Sequence, residues 1–219
     1  IPVASTTNFS TSVVAEIETT NEVVSFTDIS SNLMSYSEQF DNAAWIKSNL
    51  TISADSTTAP DGTTTADSWL STATSSCYIS RDASGTGGDT YTFSIFAKAG
   101  DMNWFRISNV SSGASGGWFN LTDGTLGTSN GVGNVSTITS VGDGWYRCER
   151  KFASYVTGGT SVIYAPSSAD GATTAPGSNK FIYFWGAQVE KASSASTYLP
   201  TTSSALVGLT NVTRGVNGT

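Results

Sequence analysis

The chain has 219 residues, a formal net charge of −7, no histidine and only 12% charged residues. Without histidine, Ser-His-Asp and Cys-His catalysis and histidine-ligated zinc or iron sites are excluded. With 10 Lys and Arg residues and no basic cluster, the sequence argues against a nucleic-acid or anionic-membrane partner, because neutralising phosphates requires a basic face.

The length is sufficient for one large all-β domain with a sizeable core. Abundant Ser and Thr, with 22 glycines, favour short strands joined by turns. No apolar run reaches the 18 residues of a membrane-spanning helix, so we expect no membrane insertion. The chain starts at Ile1 without a signal-peptide pattern, from which we expect a processed product or a part of a longer protein.

Residues 1–31 differ from the rest of the chain because they contain no tryptophan or tyrosine. Two β-prone runs, at 10–18 and 21–28, flank a polar turn. One interpretation is an edge hairpin of the main domain. The other is an arm that pairs with an identical subunit or anchors the chain to other proteins of an assembly, because exposed strands without their own core need a partner sheet.

From Asn32 to Tyr198 aromatic residues are frequent, and turn sequences such as Pro60-Asp-Gly62 separate β-prone runs. This spacing, without helical intervals, predicts an all-β fold, an antiparallel β-sandwich or jelly roll. The predicted strands cover residues 33–37, 46–54, 64–71, 76–82, 89–98, 103–110, 116–121, 134–139, 144–153, 160–165, 180–190 and 196–199.

The run from Lys180 to Glu190 is the most apolar of the sequence and has a period of two, which predicts a central strand. We expect its aromatic residues, Trp185 among them, to hold the two sheets together. In the strand at 89–98, Phe96 is predicted on the outer face, where a groove or a partner covers it. One predicted face of the long strand contains Phe181, Tyr183, Trp185, Ala187 and Val189, and the other contains Ile182, Phe184, Gly186, Gln188 and Glu190.

Cys77 and Cys148 are the two cysteines of the chain. They form a disulfide if their strands are neighbours. Otherwise both are buried free thiols that pack as small apolar residues. The sequence leaves both alternatives open.

Four stretches form a set in chain order: Asn32–Trp45, Thr58–Asp67, Gly142–Cys148, and Phe184–Glu190 continued by Thr197–Thr202. Together they resemble a module common in bacteriophage tail-fibre, head-fibre and other virion-surface proteins. The resemblance covers about residues 32–203, and it leaves residues 1–31 as an arm or anchor and 204–219 as a tail or linker. Trp69 departs from the pattern, since an aliphatic residue or lysine is more usual at this position.

The resemblance implies a β-sandwich jelly roll similar to carbohydrate-binding modules and concanavalin-like lectin domains. It also implies a module that binds glycans or presents a surface and is not itself an enzyme. The resemblance fixes no ligand-binding residues, so these are sought in the residues themselves.

Sugar binding requires an aromatic platform flanked by polar side chains. Trp104 and Trp118 follow Gly-rich turns and lie on two strands that are predicted to form a hairpin. One interpretation is a ligand site; the alternative is that both rings cap the core at strand ends. Trp45, Trp145 and Trp185 are predicted to be core residues. The predicted ligand-binding residues are Trp104, Trp118, Asn103, Arg106 and Asn120.

Hydrolytic catalysis requires two carboxylates facing each other across a cleft, and no acidic pair in the sequence indicates one. We therefore expect no enzymatic activity. Jelly-roll binding modules often hold a structural calcium ion between an early loop and the last strand, and here Glu38, Asp41 and Glu190 would supply its carboxylates. The alternative is that these three are ordinary surface carboxylates, and no other cofactor is expected.

The sequence as a whole predicts a bacteriophage virion protein of fibre or decoration type, exposed on the virion surface and homo-oligomeric. Its β-sandwich is expected to bind host-surface glycans, and residues 1–31 to contact other virion proteins or identical subunits. One alternative is the carbohydrate-binding module of a secreted polysaccharide-degrading enzyme. Another is a purely structural fibre or cement subunit without a ligand.

Overall fold

The computed structural model describes residues 13–17, 22–26, 28–82, 88–109, 116–153, 161–210 and 213–214. Within these ranges the chain forms strands and no helix, which confirms the predicted all-β class. The strands are β1 (Val13–Ile17), β2 (Glu22–Phe26), β3 (Asp28–Asn32), β4 (Ile46–Ser48), β5 (Leu50–Thr57), β6 (Ala66–Ser71), β7 (Tyr78–Asp82), β8 (Tyr91–Lys98), β9 (Trp104–Asn109), β10 (Gly116–Asn120), β11 (Thr125–Ser129), β12 (Val135–Gly142), β13 (Trp145–Phe152), β14 (Ser161–Ser167), β15 (Phe181–Glu190), β16 (Leu206–Thr210) and β17 (Thr213–Arg214).

Two six-stranded sheets pack face to face as the predicted β-sandwich. The first sheet has the order β12-β13-β8-β15-β6-β5, and the second has the order β11-β10-β9-β14-β7-β4. The strand pairs of both sheets are antiparallel. The long apolar strand β15 lies inside the first sheet, between β8 and β6, as its sequence predicts.

The core lies between the two sheets and is built from aromatic rings and β-branched side chains. Phe105 of the second sheet contacts Phe184 of the first sheet in an edge-to-face geometry, with ring centroids 5.1 Å apart. Phe184 in turn lies 4.0 Å from the ring centroid of Trp69, which is fully buried. Such pairs bury large apolar areas and add the directional attraction of aromatic contacts, so they join the two sheets.

A β-bulge at Gly186 corrects the predicted faces of β15. Trp185 pairs with Phe96, but the next paired residue is Gln188, opposite Ser94. β15 therefore has one extra residue at this point relative to β8. Gly186 lies in this bulge with φ +62°, a left-handed conformation that glycine adopts without steric cost. The faces therefore exchange at this point: Ile182, Phe184, Ala187 and Val189 point into the core between the sheets.

Trp185 precedes the bulge and lies on the opposite face of β15 from Phe184, outside the core between the sheets, so the prediction that it holds the two sheets together is wrong. It belongs to a second apolar group on the outer face of the first sheet, here called the outer cluster. Phe96 lies on this outer face, as predicted. It is covered by a distant segment of the same chain, because the ring centroid of Tyr198 lies 5.8 Å from that of Phe96. The outer cluster consists of Ala59, Ala66, Phe96, Trp145 and Trp185, with Tyr183 and Tyr198 packed against it.

Most predicted strands are confirmed within a few residues of their predicted ends. The runs at 33–37 and 196–199 form no strand, and β11 was not predicted. The predicted strand at 46–54 is divided into β4 and β5 at Asn49, which has φ +53° and ends regular pairing there. Cys77 and Cys148 are both buried free thiols, so the two cysteines form no disulfide with each other.

The two ends of the chain pair with each other. The predicted runs at 10–18 and 21–28 correspond to β1 and β2, an antiparallel pair, although residues 1–12, 18–21 and 27 lie outside the described residues. From the predicted tail, β17 extends this pair and β16 pairs with β3. The division into arm, sandwich and tail stays a prediction.

Candidate functional site

The side-chain amide of Asn32 joins the first motif to the last. Its Nδ2 donates to the carbonyl oxygens of Ala187 and Leu199, at 2.9 Å each. Its Oδ1 accepts the backbone N–H groups of Met34 and Val189, at 3.0 and 3.1 Å. Since Asn32 is fully buried, this one side chain satisfies four backbone groups that have little access to water.

The same two motifs meet again around Tyr198. The Tyr198 hydroxyl donates to Oε1 of Glu38 at 3.0 Å and shares a 2.7 Å hydrogen bond with Oγ of Ser37. The backbone N–H of Thr201 donates to Ser37 Oγ at 2.8 Å, and the Thr201 hydroxyl donates to the carbonyl oxygen of Met34. These contacts fix the segment that follows β15 against the segment that follows β3.

The second motif is joined to the first by Asp67. This side chain is 1% exposed, and its Oδ2 accepts the backbone N–H of Phe40 at 3.1 Å. Its Oδ1 accepts the backbone N–H of Asp55, also at 3.1 Å. Asp67 lies on β6 and therefore connects Phe40 of the first motif to Asp55 of strand β5.

Two indole groups of the outer cluster join the remaining motifs. Nε1 of Trp185 donates to Oγ1 of Thr65 at 3.0 Å, and Nε1 of Trp145 donates to the carbonyl oxygen of Thr58 at 3.1 Å. Each bond links a motif on the first sheet to the segment 58–65, which crosses the outer cluster. All four motifs of the sequence thus meet in one part of the molecule.

A cleft with a volume of about 580 Å³ opens where these segments meet. Three of the four motifs supply most of its wall, and β5 supplies the rest. We call it the motif cleft. Its lining residues are Glu38, Gln39, Asp41, Asn42, Ala54, Asp55, Thr65, Asp67, Pro200, Thr201 and Thr202.

The motif cleft is acidic. The pKa of Asp67 is raised to about 7, mainly by burial. The backbone N–H groups of Asp55 and Phe40 oppose this shift, and the neighbouring carboxylates of Asp41 and Asp55 add to it. Burial also raises the pKa of Glu38, while its hydrogen bond from Tyr198 lowers it. These shifts follow from the cost of holding a charge in a poorly hydrated place beside like charges.

Two residues at the motif cleft have left-handed backbone conformations. Tyr36, whose N–H donates to the Thr202 carbonyl, has φ +56°, and Asp55 has φ +52°. Asp55 lies at the irregular part of the β5–β6 pairing. Non-glycine residues are uncommon in this region and are often found at functional sites, where the surrounding contacts enforce them.

The lining of the motif cleft suits a polar ligand rich in hydroxyl groups. Carboxylate, amide and hydroxyl groups accept and donate the hydrogen bonds that such a ligand requires. None of the lining residues is a lysine, an arginine or an aromatic residue. Among the described residues, the lining of the motif cleft therefore offers neither a cation for an anionic ligand nor a ring on which a sugar would stack. Lys47 lies outside this lining and donates to the carbonyl oxygen of Asn42 at 2.7 Å.

The predicted ligand-binding residues lie elsewhere, on the second sheet. β9 and β10 pair as predicted, with Trp104 opposite Asn120 and Arg106 opposite Trp118. Because opposite residues of an antiparallel pair share a face, these four side chains lie on the outer face of the second sheet. Asn103 precedes β9 and donates to Oγ1 of Thr122 at 2.8 Å.

The two indole rings of this face differ in exposure. Trp118 is 2% exposed, and its Nε1 donates to the carbonyl oxygen of Ala172 at 2.7 Å, beneath the segment that follows β14. The guanidinium of Arg106 lies over the Trp118 ring, 5.9 Å from its centroid. Trp104 is half-buried and lies against Gly127 of β11. Ligand binding by this set stays a prediction, in which Trp104 has the accessible ring.

The three carboxylates of the predicted calcium site are not brought together. Glu38 and Asp41 line the motif cleft, but the Glu190 carboxylate accepts hydrogen bonds from Gln188 and Ser196. Within the part of the chain that the structure describes, no group of three or more His, Cys, Asp or Glu residues is placed to hold a metal ion. Calcium binding stays a prediction without a ligand set.

Sequence reasoning did not single out Asp55 and Asp67 as functional residues. Asp67 closes the second motif, so the motif itself was the available signal. Asp55 lies in a run of small polar residues that gives no indication of a cleft. Its position depends on the irregular pairing of β5 with β6, which no sequence pattern predicts.

Comparisons with known proteins find similarity among solved structures. No protein-family model and no curated protein matches the chain. Among the solved structures that match is the enzymatically active domain of tailspike protein 4 from bacteriophage CBA120, with 13% identity and a TM-score of 0.44. The match covers 74% of this chain and 21% of that chain, so this chain spans about a fifth of the neighbour's length.

The expectation that the chain is not an enzyme is corrected by this comparison, because the similar structure is named as an enzymatically active domain. At this identity and TM-score, the likeness assigns no reaction, substrate or catalytic residue to the chain.

Among the described residues, no helix is long and apolar enough to cross a membrane.

Proposed function

We propose that this chain is part of a bacteriophage virion-surface protein and that its β-sandwich binds host-surface glycans in the motif cleft. The observation that carries the proposal is the convergence of the motifs. Stretches of sequence that resemble a virion-surface module meet through buried hydrogen bonds, and three of them line one cleft. The protein would then be exposed on the assembled particle, outside any cell.

The motif cleft has no aromatic residue in its lining, so a glycan would be held there by hydrogen bonds and not on the aromatic platform that the sequence reasoning expected. This chemistry favours neutral glycans. Side chains such as Gln39 and Asn42 offer both donors and acceptors, and the carboxylates of Asp41 and Asp55 accept hydrogen bonds from hydroxyl groups. An anionic sugar would face several carboxylates without a lining cation, so its binding would be disfavoured. Half-buried Trp104 on the second sheet is proposed as a separate contact for a longer glycan chain.

Binding to an array of bacterial surface glycans tests the proposal. Asp41 is exposed and lines the motif cleft, so Asp41→Ala should weaken binding about tenfold, as expected for a lost hydrogen bond to a charged group. The exposed Asp101 lies outside the cleft lining, and Asp101→Ala is the matched control. Retained affinity in Asp41→Ala together with lost affinity in Trp104→Ala would move the site to the second sheet, and an array without any bound glycan would refute the proposal.

A further inference from the structure

Strand β12 forms one edge of the first sheet. It pairs with β13 on one side, and no described strand pairs with its other side. Val135 and Val141 are 48% and 41% exposed, and Thr137 and Thr139 are exposed between them. β11 of the second sheet approaches β12 without pairing with it, so no described strand uses the backbone N–H and C=O groups on this side of β12, and another strand can pair there.

Natural sheets usually protect such an edge with charges, proline or a short strand. β12 has eight residues, none of them charged and none a proline, and its valine, isoleucine and threonine residues favour strand pairing. The irregularity between Ser140 and Gly142 lies at its end, next to the turn into β13. Most of β12 is therefore regular, and its sequence has no charge or proline that would block pairing.

The sequence of β12 indicates which strand suits this edge. Residues 135–141 read Val-Ser-Thr-Ile-Thr-Ser-Val in both directions, with Ile138 at the centre. When two identical strands pair antiparallel around a two-fold axis, positions equally far from the axis lie opposite each other. An axis at Ile138 would place Val135 opposite Val141 of the second copy and Thr137 opposite Thr139 of the second copy.

This register gives favourable contacts on both faces. Thr–Thr pairs would form on the exposed face, where cross-strand pairs of β-branched residues stabilise a sheet. The Val135–Val141 pairs would lie at the two ends, where Val141 is the extra residue of the irregular pairing with β13. Ile138, which packs against the core, would meet itself on the inner face. A two-fold axis that passes through a residue pairs core-facing residues of one copy with core-facing residues of the other. A register shifted by one residue would pair core-facing residues with outward-facing residues.

We propose that β12 pairs with β12 of a second copy of this chain, with a two-fold axis at Ile138, and so joins two first sheets into one continuous sheet. The interface is isologous and closed, so it produces dimers and not filaments. It is distinct from the contacts predicted for residues 1–31.

Disulfide cross-linking tests the register. Two proteins, Thr137→Cys and Thr139→Cys, are mixed in equal amounts and oxidised. The proposed register places these two positions opposite each other, so the mixture should give covalent dimers, while each protein alone should not, because its cysteines lie too far apart. A mixture without covalent dimers, or equal cross-linking of the single proteins, would overturn the proposal.

Sedimentation of the full chain tests the dimer itself. Thr139→Lys adds a charge to the edge and should halve the mass in solution relative to the unmodified chain. The matched control is Thr51→Lys, an exposed position on β5 at the opposite edge of the same sheet, and it should leave the mass unchanged. Equal melting temperatures exclude unfolding as the cause. Equal masses for the unmodified chain and Thr139→Lys, or fibres in place of dimers, would contradict the proposal.

Discussion

At the scale of single residues, Asn32 carries an unusual share of the connections in the site. Its replacement by alanine removes the partners of four backbone groups, two of which belong to β15. Because buried groups left without partners are costly, Asn32→Ala should lower the free energy of unfolding by about 2–4 kcal/mol. Urea denaturation measures this change. The exposed Asn103 provides the control, and Asn103→Ala should change stability by less than about 0.5 kcal/mol. Equal effects would show that the Asn32 network contributes little.

Asp67 should make the stability depend on pH. Its pKa in the folded protein is about 7, compared with an ordinary value of 3.8, so the folded state holds this proton more tightly than the unfolded state does. Its contribution to stability is therefore complete below about pH 4 and is lost as the pH rises towards 7.

The melting temperature, measured from pH 4 to pH 8, tests this prediction. Asp67→Asn should reduce the loss of stability on raising the pH, because the amide does not titrate. Asp101→Asn, at an exposed position, should leave the pH profile unchanged. A profile for Asp67→Asn that parallels that of the unmodified chain would contradict the assignment of the titration to Asp67.

At the scale of elements, the bulge in β15 depends on Gly186. A Cβ at this position would lie 3.0 Å from Cδ2 of Phe96 and 3.1 Å from Cζ of Tyr198. Gly62 also has a positive φ, but a Cβ there would meet no atom within 4 Å. Gly62→Ala should therefore cost only the left-handed backbone, about 1–2 kcal/mol.

Gly186→Ala should cost more than Gly62→Ala, because it adds a collision with the outer cluster to the cost of the left-handed backbone. Thermal denaturation of both variants measures the difference. If both variants lose the same stability, the outer cluster is packed less tightly than the structure indicates.

Local sequence patterns predicted where strands lie better than they predicted which face each residue occupies. The alternation in β15 was correct up to Trp185, but one extra residue at Gly186 exchanged the faces that follow it. A glycine between two apolar residues is compatible with a regular strand, so the pattern alone did not reveal the bulge. Trp185 was correctly predicted as buried and wrongly placed, because the outer face of the first sheet is covered by distant segments of the chain.

At the scale of the whole molecule, the motif cleft is built from residues that the sequence analysis did not select for ligand binding. Trp104 and Trp118 were selected because aromatic rings suit sugars, yet Trp118 is covered by the segment after β14. The motif cleft is formed by three separate segments, and its shape depends on hydrogen bonds between residues up to 167 positions apart, such as Asn32 and Leu199. No local pattern encodes such contacts.

Hydrogen–deuterium exchange with a glycan selected on the array tests most directly whether the motif cleft is the binding site. If glycan binds in the motif cleft, it should slow exchange in residues 36–42 and 199–202, which contribute to the walls of the cleft. Exchange in β9 and β10 should change less. Slower exchange confined to β9 and β10, with residues 36–42 and 199–202 unaffected by a bound glycan, would contradict glycan binding in the motif cleft.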